Sequence, residues 1–113
     1  MSPVKVMIVD DSALVRKILS DLLNQDPDIE VVGTAADGAF ALRKIESLKP
    51  DVITLDVEMR QMGGLELLQK LMAEQPMAAV MVSAHTQRGA EVTLKALELG
   101  AVDFVAKPQA GGA

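Results

Sequence analysis

Apolar and polar positions alternate between two periods along this chain. Short β-branched runs, Val4–Val9, Ile29–Ala35, Val52–Asp56, Ala78–Val82 and Val102–Val105, are each followed or preceded by turn residues and predict five strands. Between them the apolar positions recur at helical spacing. Leu14, Val15, Ile18, Leu19, Leu22 and Leu23 predict a first helix, with Arg16, Lys17, Ser20 and Asp21 on its opposite, solvated side. Asp11-Ser12 is placed to cap that helix, and Asp26-Pro27-Asp28 to stop it. Ala41, Leu42, Ile45 and Leu48 mark a second helix, opened by Asp37-Gly38 and ended at Lys49-Pro50. Leu65, Leu68, Leu71 and Met72 mark a third, opened by Gly63-Gly64 and closed by Pro76. Val92, Ala96 and Leu97 mark a fourth, from about Gly89 to a stop at Gly100.

A strand–helix alternation with one helix per connection is the signature of a parallel sheet with covered faces. In such sheets ligands bind outside the carboxyl ends of the strands. Polar residues stand at those ends: Asp10-Asp11 after the first strand, Asp56 at the end of the third, Ser83 after the fourth, and Lys107-Pro108 after the fifth. Singly, each is equally a cap or a turn residue. Jointly they place three carboxylates, a hydroxyl and an ammonium in one crevice.

Composition narrows the chemistry. The chain has 113 residues, room for one domain, and only two Phe with no Trp or Tyr, so its core is aliphatic with seven Met available as fillers. Lys plus Arg number 11 against 16 Asp plus Glu, a net charge of −5, which argues against a nucleic-acid partner. The absence of Cys excludes disulfides, thiol catalysis and thiolate metal sites. Met1–Lys5 does not read as a signal peptide, and the longest apolar run, Met77–Val82, is too short to cross a bilayer, so a cytoplasmic protein with no membrane insertion is expected. Three neighbouring carboxylates repel one another, and a hard divalent cation relieves that repulsion. An all-oxygen donor set selects Mg²⁺ or Mn²⁺. A carboxylate beside such an ion, with ammonium and hydroxyl donors opposite, suits attack on a phosphoryl group.

Asp10-Asp11, Leu55-Asp56, Ser83-Ala84, Phe104 and Lys107-Pro108, at these spacings, resemble a response-regulator receiver domain, and the likeness runs over nearly the whole chain. More narrowly, Asp10–Arg16, Leu55–Met59, Met81–Ala84, Glu91–Val105 and Lys107-Pro108-Gln109 are similar to the receivers of chemotaxis protein-glutamate methylesterases, the CheB family. The resemblance implies a flavodoxin-like doubly wound α/β fold, a five-stranded parallel sheet of order 2-1-3-4-5, with residues 1–108 as the receiver and 109–113 as the start of a fifth-helix or linker region that is cut short. It implies that Asp56 accepts a phosphoryl group from a chemotaxis-type sensor histidine kinase. Asp11, Asp56 and the Glu58 carbonyl would ligate Mg²⁺, with Asp10 holding a metal-bound water. Ser83, Ala84 and Lys107 would bind the phosphoryl oxygens, and Ser83 and Phe104 would form a two-state switch. The peptide bond from Lys107 to Pro108 is expected to be cis. The phosphorylated state would regulate an attached methylesterase/glutaminase domain acting on chemoreceptors. The chain itself would do no more than phosphorylate and dephosphorylate its own aspartate.

Two departures stand out. The stretch after the acceptor reads Met59-Arg60-Gln61-Met62-Gly63-Gly64, without the Pro and the capping Asp usual in receivers at 60 and 63, so the loop carrying the Glu58 carbonyl should be looser. No Gly-x-Ser-x-Gly elbow occurs, and the one His, His85, fits the loop after Ser83 better than a catalytic base, so no esterase triad can be built from this chain. Without a fifth helix, one face of the sheet should bare several hundred Å² of apolar surface, enough to drive self-association or leave the chain marginally folded. The alternatives are the receiver of another response regulator, a pseudo-receiver that only binds partners, a dehalogenase-type phosphatase, for which the Asp-x-Asp motif is missing, and a flavin carrier, for which stacking aromatics are missing.

Overall fold

The computed structural model describes residues 2–59, 62–84 and 87–108. These form, in chain order, β1 (Val4–Val9), α1 (Ala13–Asn24), β2 (Ile29–Ala35), α2 (Gly38–Leu48), β3 (Val52–Asp56), α3 (Gly64–Glu74), β4 (Ala78–Ser83), α4 (Gln87–Leu99) and β5 (Asp103–Ala106). The five strands are all parallel, in the order β2-β1-β3-β4-β5, with β1 shifted against β2 between Val6 and Met7. This is the expected flavodoxin-like receiver topology.

Local chemistry explains the element ends. Ser12 caps α1 by accepting from the Val15 N–H, and Asp37 caps α2 by accepting from the Phe40 N–H. α2 closes on Lys49 in the left-handed region (φ 49°), just before Pro50, and α4 stops at Gly100 (φ 119°). Two strand and helix limits differ from expectation. α4 begins ahead of Gly89, at Gln87, and β5 begins at Asp103, leaving Val102 outside the strand and 62% exposed.

The two faces of the sheet are unequal. Met7, Val9, Ile53, Leu55, Ala79 and Met81 form one continuous core with Ala41 and Ile45 of α2, Leu67, Leu68 and Leu71 of α3, and Ala96 of α4. Leu67, outside the predicted stripe, is fully buried, whereas Leu65 is only partly so: the buried line of α3 runs through Gly64, Leu67, Leu68 and Leu71. On the other face, which carries Val6, Ile8, Thr54, Val80 and Val82, α1 packs against β1 and β2. No residue of α1 is fully buried, and Leu14 and Leu22 are 55% and 51% exposed. Every residue of β5 is exposed, Val105 included. The face expected to be short of a helix is therefore open among the described residues. The stretch 109–113, assigned to a fifth-helix or linker region, lies outside them, as do His85 and Arg60.

Candidate phosphoryl and metal site

The strand ladder itself assembles the site. Beyond the strand ends, parallel pairing continues through Asp10 N–H to Ala35 O (3.1 Å), Val57 N–H to Val82 O (3.1 Å) and Lys107 N–H to Ser83 O (2.8 Å). Each of these bonds carries a functional residue, or its neighbour, to the same sheet edge. Asp10 and Asp56 are 1% exposed and Ser83 is 8% exposed. Carboxylate oxygens of Asp10, Asp11 and Asp56 lie within 4.8 Å of one another.

Lys107 closes the crevice. Its Nζ lies 2.9 Å from Asp56 Oδ1 and 3.7 Å from Asp10 Oδ2. It does so across a trans peptide bond to Pro108: no cis bond occurs among the described residues, so the expected cis isomer is not found. The trans form is the intrinsically favoured one, by about 0.5–1 kcal/mol, and already delivers the ammonium to Asp56. The Glu58 N–H donates to Asp56 Oδ1 (3.0 Å), and the Ser12 N–H donates to Asp10 Oδ1 (2.8 Å).

The electrostatics follow from this burial. Burial pushes the Asp56 carboxyl up from an ordinary 3.8 to about 6, and the Asp10 charge adds to that rise. The bonds from Lys107 and the Glu58 N–H offset only part of it. Burial pulls the Lys107 ammonium down, but its bond to Asp56 and the fields of Asp10, Asp56 and Asp11 outweigh that, and its pKa is raised on balance. Three acids against one ammonium leave the crevice short of positive charge.

The residues fit a hard cation. Asp10 Oδ2 and Asp56 Oδ2 are buried side-chain oxygens without a hydrogen-bond partner, and both belong to the acidic cluster. Orphaned buried carboxylate oxygens are costly unless something charged meets them. All donors are oxygen, the set preferred by Mg²⁺ and Mn²⁺.

Asp10, Asp11, Asp56 and Lys107 are thus brought together, and Ser83 stands beside Lys107 on the neighbouring strand. Ala84 is half-buried just beyond Ser83, and Glu58 is exposed with its N–H turned to the acceptor. Phe104 stands opposite Met81 in the β4–β5 register and is 47% exposed. Two residues escaped the sequence reading. Arg16, assigned to the solvated side of α1, instead reaches back to donate from Nη1 to the Asp10 carbonyl at 2.7 Å. The available signal was its position: helical side chains lean toward the N-terminus, so an arginine in the first turns of α1 lies over the strand end. Gly64 packs so closely that a Cβ there would stand 2.3 Å from the Asp56 carbonyl oxygen. Only the three-dimensional approach of α3 to β3 reveals that.

Over residues 6–112 the sequence matches the response regulator receiver domain family, and the chain belongs to it. Within that class it is similar to chemotaxis methylesterase receivers. It is 59% identical over 109 residues, 96% of its length, to a protein-glutamate methylesterase/protein-glutamine glutaminase of Nitrosomonas europaea, and it spans 30% of that relative. The response regulator domain of Thermotoga maritima CheB superposes with a TM-score of 0.86 at 47% identity, over 95% of this chain and 80% of that one. A chain of the CheX–CheY–BeF3–Mg²⁺ complex from Borrelia burgdorferi matches with a TM-score of 0.83 at 31% identity, over 96% of this chain and 81% of that one. The chain spans about 30% of the length of the methylesterases it matches, so their catalytic domain lies outside it. Among the described residues no helix is long and apolar enough to cross a membrane.

Proposed function

We propose that this receiver accepts a phosphoryl group on Asp56 from a phosphohistidine of a chemotaxis-type sensor histidine kinase. The observation that carries the proposal is the pair of oxygens on Asp56. Oδ1 is held by Lys107 and the Glu58 N–H, while Oδ2 is buried and without a hydrogen-bond partner in the acidic crevice. Oδ2 is the nucleophile. It attacks phosphorus as the P–N bond to the donor imidazole breaks, and the imidazole leaves with the bonding pair and takes up a proton. Lys107 moves from Asp56 to a phosphoryl oxygen, and Ser83 and the Ala84 N–H take the others. Asp11, Asp56 and the Glu58 carbonyl would hold Mg²⁺ or Mn²⁺, with Asp10 holding a water on it, and the ion would supply the charge neutralisation that this crevice lacks.

The methylesterase/glutaminase relatives support a wider reading. The phosphoryl group would control an attached domain of that activity, acting on chemoreceptors, in the cytoplasm. Phe104, half-exposed on the face that α4 covers, is positioned to turn inward when Ser83 follows the phosphoryl group, which gives the switch a starting state. The open α1 face supports self-association of the 113-residue chain itself. A pseudo-receiver reading is less well supported, because acceptor, acidic pair and lysine are all in working register.

Titration with fluoroberyllate and Mg²⁺, followed by amide chemical shifts, tests the proposal. The unmodified chain should bind both. Asp56→Asn should lose the fluoroberyllate, and Asp11→Asn should lose Mg²⁺ by a larger factor than Asp10→Asn. Unimpaired fluoroberyllate binding by Asp56→Asn would sink the assignment.

A further inference from the structure

We propose that Arg16 is a positioning residue for the metal-binding corner, an inference that rests on the function proposed above. Asp10 is hydrogen-bonded at every polar atom but Oδ2, which has no hydrogen-bond partner. Its N–H donates to Ala35 O (3.1 Å), Oδ1 accepts from the Ser12 N–H (2.8 Å), its carbonyl accepts from Arg16 Nη1 (2.7 Å), and Oδ2 faces Lys107 at 3.7 Å. Arg16 is the one long side chain in this set that grips the backbone rather than the carboxylate. Its own N–H donates to Ser12 O (3.0 Å), so the turn Asp10-Asp11-Ser12 is clamped between the backbone and the guanidinium of the same residue. Both acids that follow β1, Asp10 and Asp11, belong to that turn. A charge-assisted bond of this length is among the stronger ones available.

Two physical roles predict opposite signs. As a mere neighbouring cation, Arg16 would repel a divalent ion, and neutralising it would tighten metal binding. As a clamp, it keeps Asp10 and Asp11 from spreading apart under their own repulsion, and removing it would weaken metal binding. The clamp outweighs the repulsion, because the guanidinium charge is partly spent on the carbonyl and partly screened by solvent, while loss of an outer-shell holding group typically costs about tenfold or more in metal affinity.

Mg²⁺ titrations of the chain without phosphodonor, followed by backbone amide shifts, decide between the two. Arg16→Gln should bind Mg²⁺ about tenfold more weakly, with amide shifts at Asp10, Asp11 and Ser12 already altered before metal is added. Arg16→Lys, which keeps the charge and one donor, should recover most of that loss and remain about threefold weaker than the unmodified chain. Equal or tighter Mg²⁺ binding by a folded Arg16→Gln overturns the clamp. Should Arg16→Gln fail to fold, Arg16→Lys carries the test, and unchanged affinity with unchanged shifts at residues 10–12 overturns it. An unmodified chain that binds no Mg²⁺ brings down the proposed function together with this inference, whereas equal binding by the unmodified chain and Arg16→Gln removes only the role of Arg16.

Discussion

The crevice is built from two strand-to-helix connections of opposite character. The β1–α1 turn is pinned by hydrogen bonds: Asp10 by Ala35, Ser12 and Arg16, and the helix behind it by the Ser12 cap. The β3–α3 connection carries the acceptor, yet Gly63 at the N-cap of α3 offers no side-chain cap. What secures it is contact of backbone on backbone, with Gly64 N–H bonded to Val57 O (3.3 Å) and no room for a Cβ between Gly64 and the Asp56 carbonyl. One wall is therefore fixed by hydrogen bonds and the other by the absence of a side chain. A metal-binding wall gains from rigidity, because its charges must stay close without an ion. The acceptor wall has to admit a phosphoryl group, and close packing behind Asp56 leaves room in front of it.

The sharpest way to break this contrast is at Gly64. By helix propensity, Gly64→Ala should stabilise α3 by about 0.5–1 kcal/mol. By packing, a Cβ 2.3 Å from a backbone oxygen forces the strand end to move. The steric term wins, and a loss of about 3 kcal/mol, at the upper end for overpacking, should appear in thermal or denaturant melts. A Gly64→Ala chain as stable as its parent would mean that the acceptor wall is not held this way.

Acidity separates the walls next. Because the Asp56 carboxyl titrates near 6 when folded and near 3.8 as an ordinary carboxyl, the folded chain holds the extra proton between those values. The contribution of this group to stability is present below the lower value and is lost as pH rises through the higher one. Metal must expel the same proton, so Mg²⁺ affinity should be level above about pH 7 and about tenfold weaker at about pH 5. Amide-shift titrations at several pH values would show it. A flat profile down to pH 5 would place the acceptor's pKa near the ordinary value and remove the effect of burial.

Much of this was legible from residue order. The β–α alternation dictated the parallel sheet, and the apolar runs stop at Asp10, Asp56, Ser83 and Lys107 because those residues mark the sheet's carboxyl edge. What escaped depends on directions that spacing does not carry. Leu67 and Leu65 both fit a helical stripe, and only the packing of α3 against the sheet and its neighbouring helices selects Leu67. Arg16 fits a solvated face until the lean of its side chain toward the strand end is taken into account. The Lys107–Pro108 isomer was expected from resemblance alone, and the trans bond found delivers the same ammonium.

The smallest effect should come from Gly63. It sits in extended backbone (φ −61°, ψ 158°) at the cap position, and a Cβ added there meets nothing within 4 Å. Gly63→Ser should therefore gain about 0.5 kcal/mol, by supplying a cap and by restricting the unfolded chain. Melts of the two chains would resolve it, and a destabilised Gly63→Ser would show that the loop needs the glycine after all.

The central claim is that one buried oxygen of Asp56 receives the phosphoryl group, and locating that group tests it most directly. The chain is treated with acetyl phosphate and Mg²⁺, the acyl phosphate is trapped by borohydride reduction, and the modified residue is mapped by peptide mass spectrometry. The account predicts modification at position 56 alone, lost in Asp56→Asn and reduced when Mg²⁺ is withheld. Modification of Asp10 or Asp11 in the unmodified chain, or equal labelling of Asp56→Asn, would contradict it.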